Sequence, residues 1–277
     1  MRADGKKIKN IEPMYKVGAH IMNKRNDALN MIELDIPVEP MKKYLKVKRD
    51  EGHNLSHLTL FMAAYVRMLA EYPELNRFVV NKKIYARNEI AVGMVVLKPG
   101  ETDGTMNKVY FEPTDDVFEV DKKLNEYIMQ NRGEGDTNST DKLVSILLSI
   151  PGLCTVAVAL FKFMDRYGLL PKAIINASPF HASLTVSNLA SIRTNHIFHH
   201  VYNFGTTSMI LTMGNMREVP MRKGGQVEFV RCIPLGVVMD ERICTGSFYA
   251  LAFKRMSEYL SDPSKLEGPP AVVNVDR

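Results

Sequence analysis

Residues 58–96 read LTLFMAAYVRMLAEYPELNRFVVNKKIYARNEIAVGMVV. Leu58, Phe61, Met62, Tyr65 and Leu69 recur at i, i+3, i+4 spacing, which gathers them on one face of a helix. Ser56 stands ahead of the run as its N-cap. Tyr72-Pro73 stops it, because proline pushes the preceding residue out of the helical region. Arg77–Val80 and Lys83–Arg87 then pair across Asn81-Lys82 as a hairpin. Residues 89–97, EIAVGMVVL, have the continuous apolar character of a buried strand.

The pattern extends in both directions. Upstream, MIELDIPV (31–38) alternates: Ile32, Leu34, Ile36 and Val38 fall on one face of a strand, Glu33 and Asp35 on the other. Glu39–Glu51 is charged and helix-prone, and Gly52 ends it. Residues 1–15 read as a loosely attached arm. Downstream, 99–107 reads as a loop, Val117–Arg132 as an exposed helix and GEGDTNSTD (133–141) as a flexible linker. HASLTVSNL (181–189) and 208–213 read as strands. Arg217–Pro234 folds as a hairpin around Lys223-Gly224-Gly225. Val227–Met239 is a long strand, Gly246–Leu260 an amphipathic helix, and the chain from Asp262 a polar tail. Strands and helices in unequal runs, with hairpins among them, predict an α/β or α+β layer with a mixed sheet rather than a strict βαβ repeat.

The 277 residues are 45% hydrophobic and 24% charged, enough for a substantial core. A formal net charge of +5 with scattered basic residues fits a solvated surface better than a nucleic-acid patch. Cys154, Cys232 and Cys244 make no CxxC, so neither a zinc site nor a disulfide framework is expected. There is no GxGxxG, P-loop or HExxH. Met1–Asn10 is polar and basic, unlike a signal peptide, which makes the cytoplasm the expected compartment. One stretch complicates this. Residues 143–161, LVSILLSIPGLCTVAVALF, carry no charge and reach the length of a membrane span. Pro151-Gly152 splits the run, so the expectation is two short buried helices or one kinked buried helix, with membrane or partner contact through an exposed apolar face as the lesser alternative.

Residues 238–248, VMDERICTGSF, place a charged turn between the long strand and the last helix, a common position for working groups. Residues 58–96, LTVSNL at 184–189 and the stretch from Arg217 through PLGVVMDERICTGSFYALAFKRMSEYLSDPSKL resemble the catalytic domain of the dihydrolipoyl acyltransferases of 2-oxoacid dehydrogenase complexes. The resemblance covers most of residues 28–267. That family carries D-H-R-x-x-D-G at the turn, and chloramphenicol acetyltransferase carries H-H-x-x-x-D-G. The resemblance implies an α/β, two-layer chloramphenicol acetyltransferase-like sandwich with a mixed β-sheet. It also implies a homotrimer with active sites at the subunit interfaces. Coenzyme A or an acyl-CoA would be the substrate, alongside a small-molecule acyl acceptor, with no metal. On this reading 1–15 is an N-terminal arm, 16–268 the acyltransferase-like domain and 269–277 a tail, with no lipoyl domain in this chain.

The motif departs from the family at two places. Asp240, Arg242 and Gly246 match; Glu241 stands where the catalytic His is expected, and Thr245 where an Asp holds the site through an ion pair. Imidazole, with a pKa near 6.5, suits a thiol near 8.5, whereas a carboxylate near 4.3 is about 4 units too acidic. Four residues are therefore candidates for the chemistry: Glu241 as a retuned base, His199 and His200 (in NHIFHHVYNFG) as bases brought in from elsewhere, and Ser187, at the family position that stabilises the oxyanion. For each there is a structural alternative: Glu241 ion-paired in a closed site, the histidines in packing, and Ser187 as an ordinary strand hydroxyl. Cys244 reads as core. The rivals to an acyltransferase are a non-catalytic trimeric ligand-binding or scaffold protein, and a peripheral membrane or partner-binding protein using 143–161.

Overall fold

The computed structural model describes residues 2–97, 104–132 and 145–276, except 147. In chain order its elements are β1 (Gly5–Lys7), α1 (Pro13–Ile21), β2 (Leu29–Pro37), α2 (Val38–Asp50), α3 (His57–Glu71), β3 (Arg77–Val80), β4 (Lys83–Arg87), β5 (Ile90–Leu97) and β6 (Gly104–Phe111). They continue with α4 (Val117–Arg132), α5 (Leu153–Tyr167), α6 (Lys172–Ala177), β7 (Leu184–Asn188), β8 (Met209–Met213), β9 (Arg217–Lys223), β10 (Gln226–Asp240) and α7 (Gly246–Ser261).

The main sheet has seven strands in the order β2-β10-β8-β7-β5-β6, with β9 paired to β10. β7 runs parallel to both β5 and β8, and the other pairs are antiparallel, so the sheet is mixed. A smaller sheet, β1-β4-β3, is built on the hairpin of residues 77–87. Its turn residues Asn81 and Lys82 have φ of 49° and 60°, the left-handed pair that a two-residue hairpin turn demands.

Alternation decides which side of the main sheet is the core. Leu184, Val186, Leu211, Met213, Leu235, Val237 and Met239 are buried in one cluster with α3 and α7. α3 is almost wholly buried, and its start is fixed by a capping box in which the Ser56 hydroxyl accepts the Thr59 N–H. Gly236, Val238 and Asp240 therefore face away from the helices. There the chain at 194–203 crosses the sheet. Its Ile197 N–H donates to Thr212 Oγ1 (3.1 Å), and the Thr212 hydroxyl donates to the Ile197 carbonyl (2.5 Å). A Cβ on Gly236 would stand 2.5 Å from that carbonyl, so glycine is what lets the crossing lie flat.

Several expectations change. The N-terminal arm is tied down, not loose. β1 pairs with β4, and Arg2 is buried between Asp4 (2.9 Å) and Asp165 (2.6 Å). α4 is half-buried, with Val117, Val120, Leu124 and Tyr127 in the core. The stretch read as a loop at 99–107 contains the start of β6, whose mixed Asn107-Lys108 composition hides its strand character; 98–103 lie outside the described residues. So does the linker at 133–141. In the apolar segment, Pro151-Gly152 does break the run: α5 starts at Leu153, behind Gly152 at φ 81°. The described part of the segment is nevertheless not buried: each of its residues is exposed or half-exposed, and α5 encloses only Asp165, beyond the apolar run. No helix of the described residues is long and apolar enough to cross a membrane.

Candidate active site

The turn after β10 is held by a charged clamp. Asp240, fully buried, accepts Arg242 Nε at 2.8 Å and Nη2 at 2.6 Å, a bidentate pair. Arg25 closes the other side, its Nε 3.6 Å from Asp240 Oδ2. Burial pulls the Arg25 guanidinium down to about 10, against the opposing pull of Asp240. Further bonds complete the frame: Arg25 Nη1 donates to the Tyr202 carbonyl (2.6 Å), Arg242 Nη1 to the Met22 carbonyl (3.1 Å), and the Tyr249 hydroxyl to the Asp240 carbonyl (2.9 Å). A buried pair is stable only when its remaining donors and acceptors are also satisfied; the backbone carbonyls do this for much of the clamp, and the buried Arg25 Nε is left with the Asp240 charge alone.

Across 240–244, Glu241 is the one residue that keeps solvent contact; Asp240, Arg242, Ile243 and Cys244 are buried. The Glu241 carboxylate accepts Asn30 Nδ2 at 2.7 Å, and its backbone N–H donates to Ala28 at 2.9 Å. Asn30 belongs to the β2 face that carries Ile32 and Leu34, so Glu241 lies on the helix side of the sheet. Cys244 is in the core, and burial raises its thiol. Thr245 carries no charge. Its hydroxyl accepts the Phe248 N–H at 3.4 Å and caps α7. The buried ion pairs of this turn are instead those of Asp240 with Arg242 and Arg25.

The other candidates stand elsewhere. His199 and His200 stack on each other with ring centroids 4.8 Å apart, and both rings pack on Tyr202. They belong to the crossing segment on the far face, and neither contacts Glu241 among the described residues. His196 lies over Gly236, its Nε2 3.7 Å from Glu33. Ser187 is half-buried on the far face of β7, level with Thr212, which is in turn level with Gly236 on β10. Glu241 lies five residues farther along β10 and two strands across. Within one chain the two therefore stand on the order of 20 Å apart.

Two residues of this region carried no sequence signal. Arg25, in NKRND, follows no pattern that marks it as the partner of Asp240. Lys108 is buried on β6, where its Nζ donates to the carbonyls of Ile175 (2.6 Å) and His181 (3.1 Å), and burial lowers its ammonium to about 8. It pins α6 and the approach to β7, the strand that bears Ser187.

Residues 180–267 match the family model of the 2-oxoacid dehydrogenases acyltransferase (catalytic domain). No curated protein matches the chain by sequence. Solved structures match along nearly all of it. One is a probable dihydrolipoamide acetyltransferase from Listeria monocytogenes, at 14% identity over 95% of this chain and 97% of that one, with a TM-score of 0.59. Another is the cubic core of the pyruvate dehydrogenase multienzyme complex, at 15% identity over 94% of each chain and TM-score 0.59. A third is chloramphenicol acetyltransferase, at 12% identity over 92% of this chain and 99% of that one, with TM-score 0.57. The chain therefore has the two-layer α/β fold of these acetyltransferases, and its residues 180–267 carry the sequence pattern of the 2-oxoacid dehydrogenase acyltransferase catalytic domain.

Proposed function

We propose that this chain is an acyltransferase that takes its acyl group from a coenzyme A thioester, with residues 16–268 as the catalytic domain and Glu241 in the place of the motif histidine. The observation that supports this most is the turn itself. Asp240, Arg242 and Arg25 are locked in a buried clamp, while across 240–244 only the residue at the histidine's position reaches solvent, and Asn30 orients it. In the proposed step the Glu241 carboxylate takes the proton of the incoming thiol, hydroxyl or amine as that atom attacks the thioester carbonyl. The Ser187 hydroxyl donates to the oxyanion. Collapse of the tetrahedral species breaks the C–S bond, and the leaving coenzyme A thiolate receives the proton from Glu241.

The separation of Ser187 from Glu241 within one chain supports a site shared between two copies, in keeping with a homotrimer. A second reading has one observation in its favour: no histidine touches Glu241 among the described residues, and an unaided carboxylate is a poor base for a thiol. In that reading the trimer binds a ligand or scaffolds a partner without turnover.

Thiol release from a panel of acyl-CoAs separates the two. For an enzyme, Glu241→Ala lowers the rate about 100-fold or more, and His199→Ala and His200→Ala leave it nearly unchanged. Oligomers assembled from a mixture of Ser187→Ala and Glu241→Ala chains regain part of the activity, because some interfaces then hold both intact residues. Background rates in the wild type and every variant would sink the enzyme reading, and coenzyme A binding without turnover would establish the second.

A further inference from the structure

The side of α5 turned away from the body is apolar. Val156, Leu160, Phe163 and Tyr167 are 66%, 52%, 56% and 56% exposed. They recur at i, i+4, i+7 and i+11, so they form one stripe along the helix. Ile146, Leu148 and Ile150 before the Gly152 break, and Leu169 after the helix, are 57–65% exposed and lengthen the apolar surface in sequence. Isolated exposed apolar residues are ordinary; a contiguous set of this length is a contact surface.

Charge is distributed on this helix in a way that selects the contact. Its one acid, Asp165, points into the body and is bound by Arg2. Its exposed cations, Lys162 and Arg166, lie roughly 100° around the helix from the stripe. Both line a cavity of about 580 Å³, together with Lys24, Lys82 and the buried Arg25 and Arg242. The sole carboxylate among the cavity's described lining residues is again Asp165. A cation-rich hollow thus opens beside an apolar stripe, and the same helix builds both.

We propose that α5 docks flat on an anionic lipid surface. The stripe enters the headgroup–acyl boundary, and Lys24, Lys82, Lys162 and Arg166 face lipid phosphates. A helix of 15 residues is too short to span a bilayer, but lying in its plane is the geometry its two faces fit. Stripe-to-stripe contact with a second copy would bring Lys162 and Arg166 near their own counterparts, a like-charge approach that lipid phosphate turns into attraction. This proposal does not rest on acyl transfer.

The test is co-sedimentation of the full chain with vesicles of phosphatidylcholine alone and of phosphatidylcholine mixed with phosphatidylglycerol. Each cation near an anionic surface is worth roughly fivefold in binding, so binding to the mixed vesicles should be at least about tenfold the tighter and should weaken with salt. Lys82→Glu with Lys162→Glu removes that preference. Leu160→Ser with Phe163→Ser, both exposed and so compatible with the fold, lowers binding to the mixed vesicles about tenfold. Equal binding to both vesicle types, or unchanged binding in both double variants, overturns the proposal. So does light scattering in which Leu160→Ser with Phe163→Ser breaks up an oligomer while vesicle binding persists, since the stripe would then be a contact between copies.

Discussion

In the proposed site a carboxylate, Glu241, stands where an imidazole is expected, and the residues around it hold the turn firmly. Asp240 and Arg242 fix the backbone on either side and leave one side chain facing solvent. The stability of this construction is concentrated in the clamp. Asp240→Asn would leave Arg25 and Arg242 buried without their counter-charge, and breaking such a pair costs about 3–5 kcal/mol. Glu241→Gln keeps an acceptor for Asn30 and changes no buried charge, so its cost should stay under about 1 kcal/mol. Urea unfolding midpoints of the two variants check the contrast. Comparable losses would mean that Glu241 is a structural member of the clamp.

β10 and the crossing segment at 194–203 meet through an absence of side chain. The Gly236 backbone lies against the Ile197 carbonyl, and Thr212 bonds both polar groups of Ile197. Gly236→Ala would drive a methyl into that carbonyl and lift the segment that carries His199 and His200. Overpacking of this kind costs about 1–3 kcal/mol. Gly93→Ala on β5 is the control: its new methyl would come no nearer than 3.3 Å, to the flexible end of Met106. Thermal unfolding should show the larger loss for Gly236→Ala, and equal losses would show that the crossing segment yields easily.

Across the whole molecule, the N-terminus, α5 and the approach to β7 are joined by buried charge. Burial lowers the His181 imidazole, and Asp165 offsets this only in part. Burial acts to raise the Asp165 carboxyl, but His181 and Arg2 together hold it below the usual range; in Asp4 the Arg2 guanidinium likewise outweighs burial. The signs give two windows. An unfolded His181 takes up its proton near pH 6.5, before the folded one, so stability falls as pH drops below about 6.5. The stabilisation from Asp4 and Asp165 is fully present above about pH 4 and is lost as pH falls further, towards their depressed folded values. Denaturant midpoints measured against pH should therefore decline in two steps. His181→Gln should shrink the upper one, leaving the share of His57, whose imidazole burial also lowers, and Arg2→Ala should shrink the lower one. A single acid transition unchanged by either substitution would contradict this account.

Much of the element order was legible in the sequence because local chemistry fixes it. The hairpin at 77–87, α3 with its Ser56 cap, the alternating β7, the apolar β8, and the strand, charged turn and helix around Asp240 all follow from periodicity, composition and turn residues within a few positions. β6 and α6 were missed where composition is mixed. α5 was expected to be buried because an uncharged run predicts burial from its own residues, whereas burial depends on whether another element arrives to cover it. The candidate site divides along the same line. Its position at 240–246 was local information. That Arg25 closes the clamp, that Asn30 holds Glu241, and that His199, His200 and Ser187 lie on the other face of the sheet were decided only when β2, β7, β8 and β10 came together. Side-chain alternation sorts neighbours one residue apart onto opposite faces, but which distant residues share a face depends on strand order and register, and those are properties of the assembled sheet.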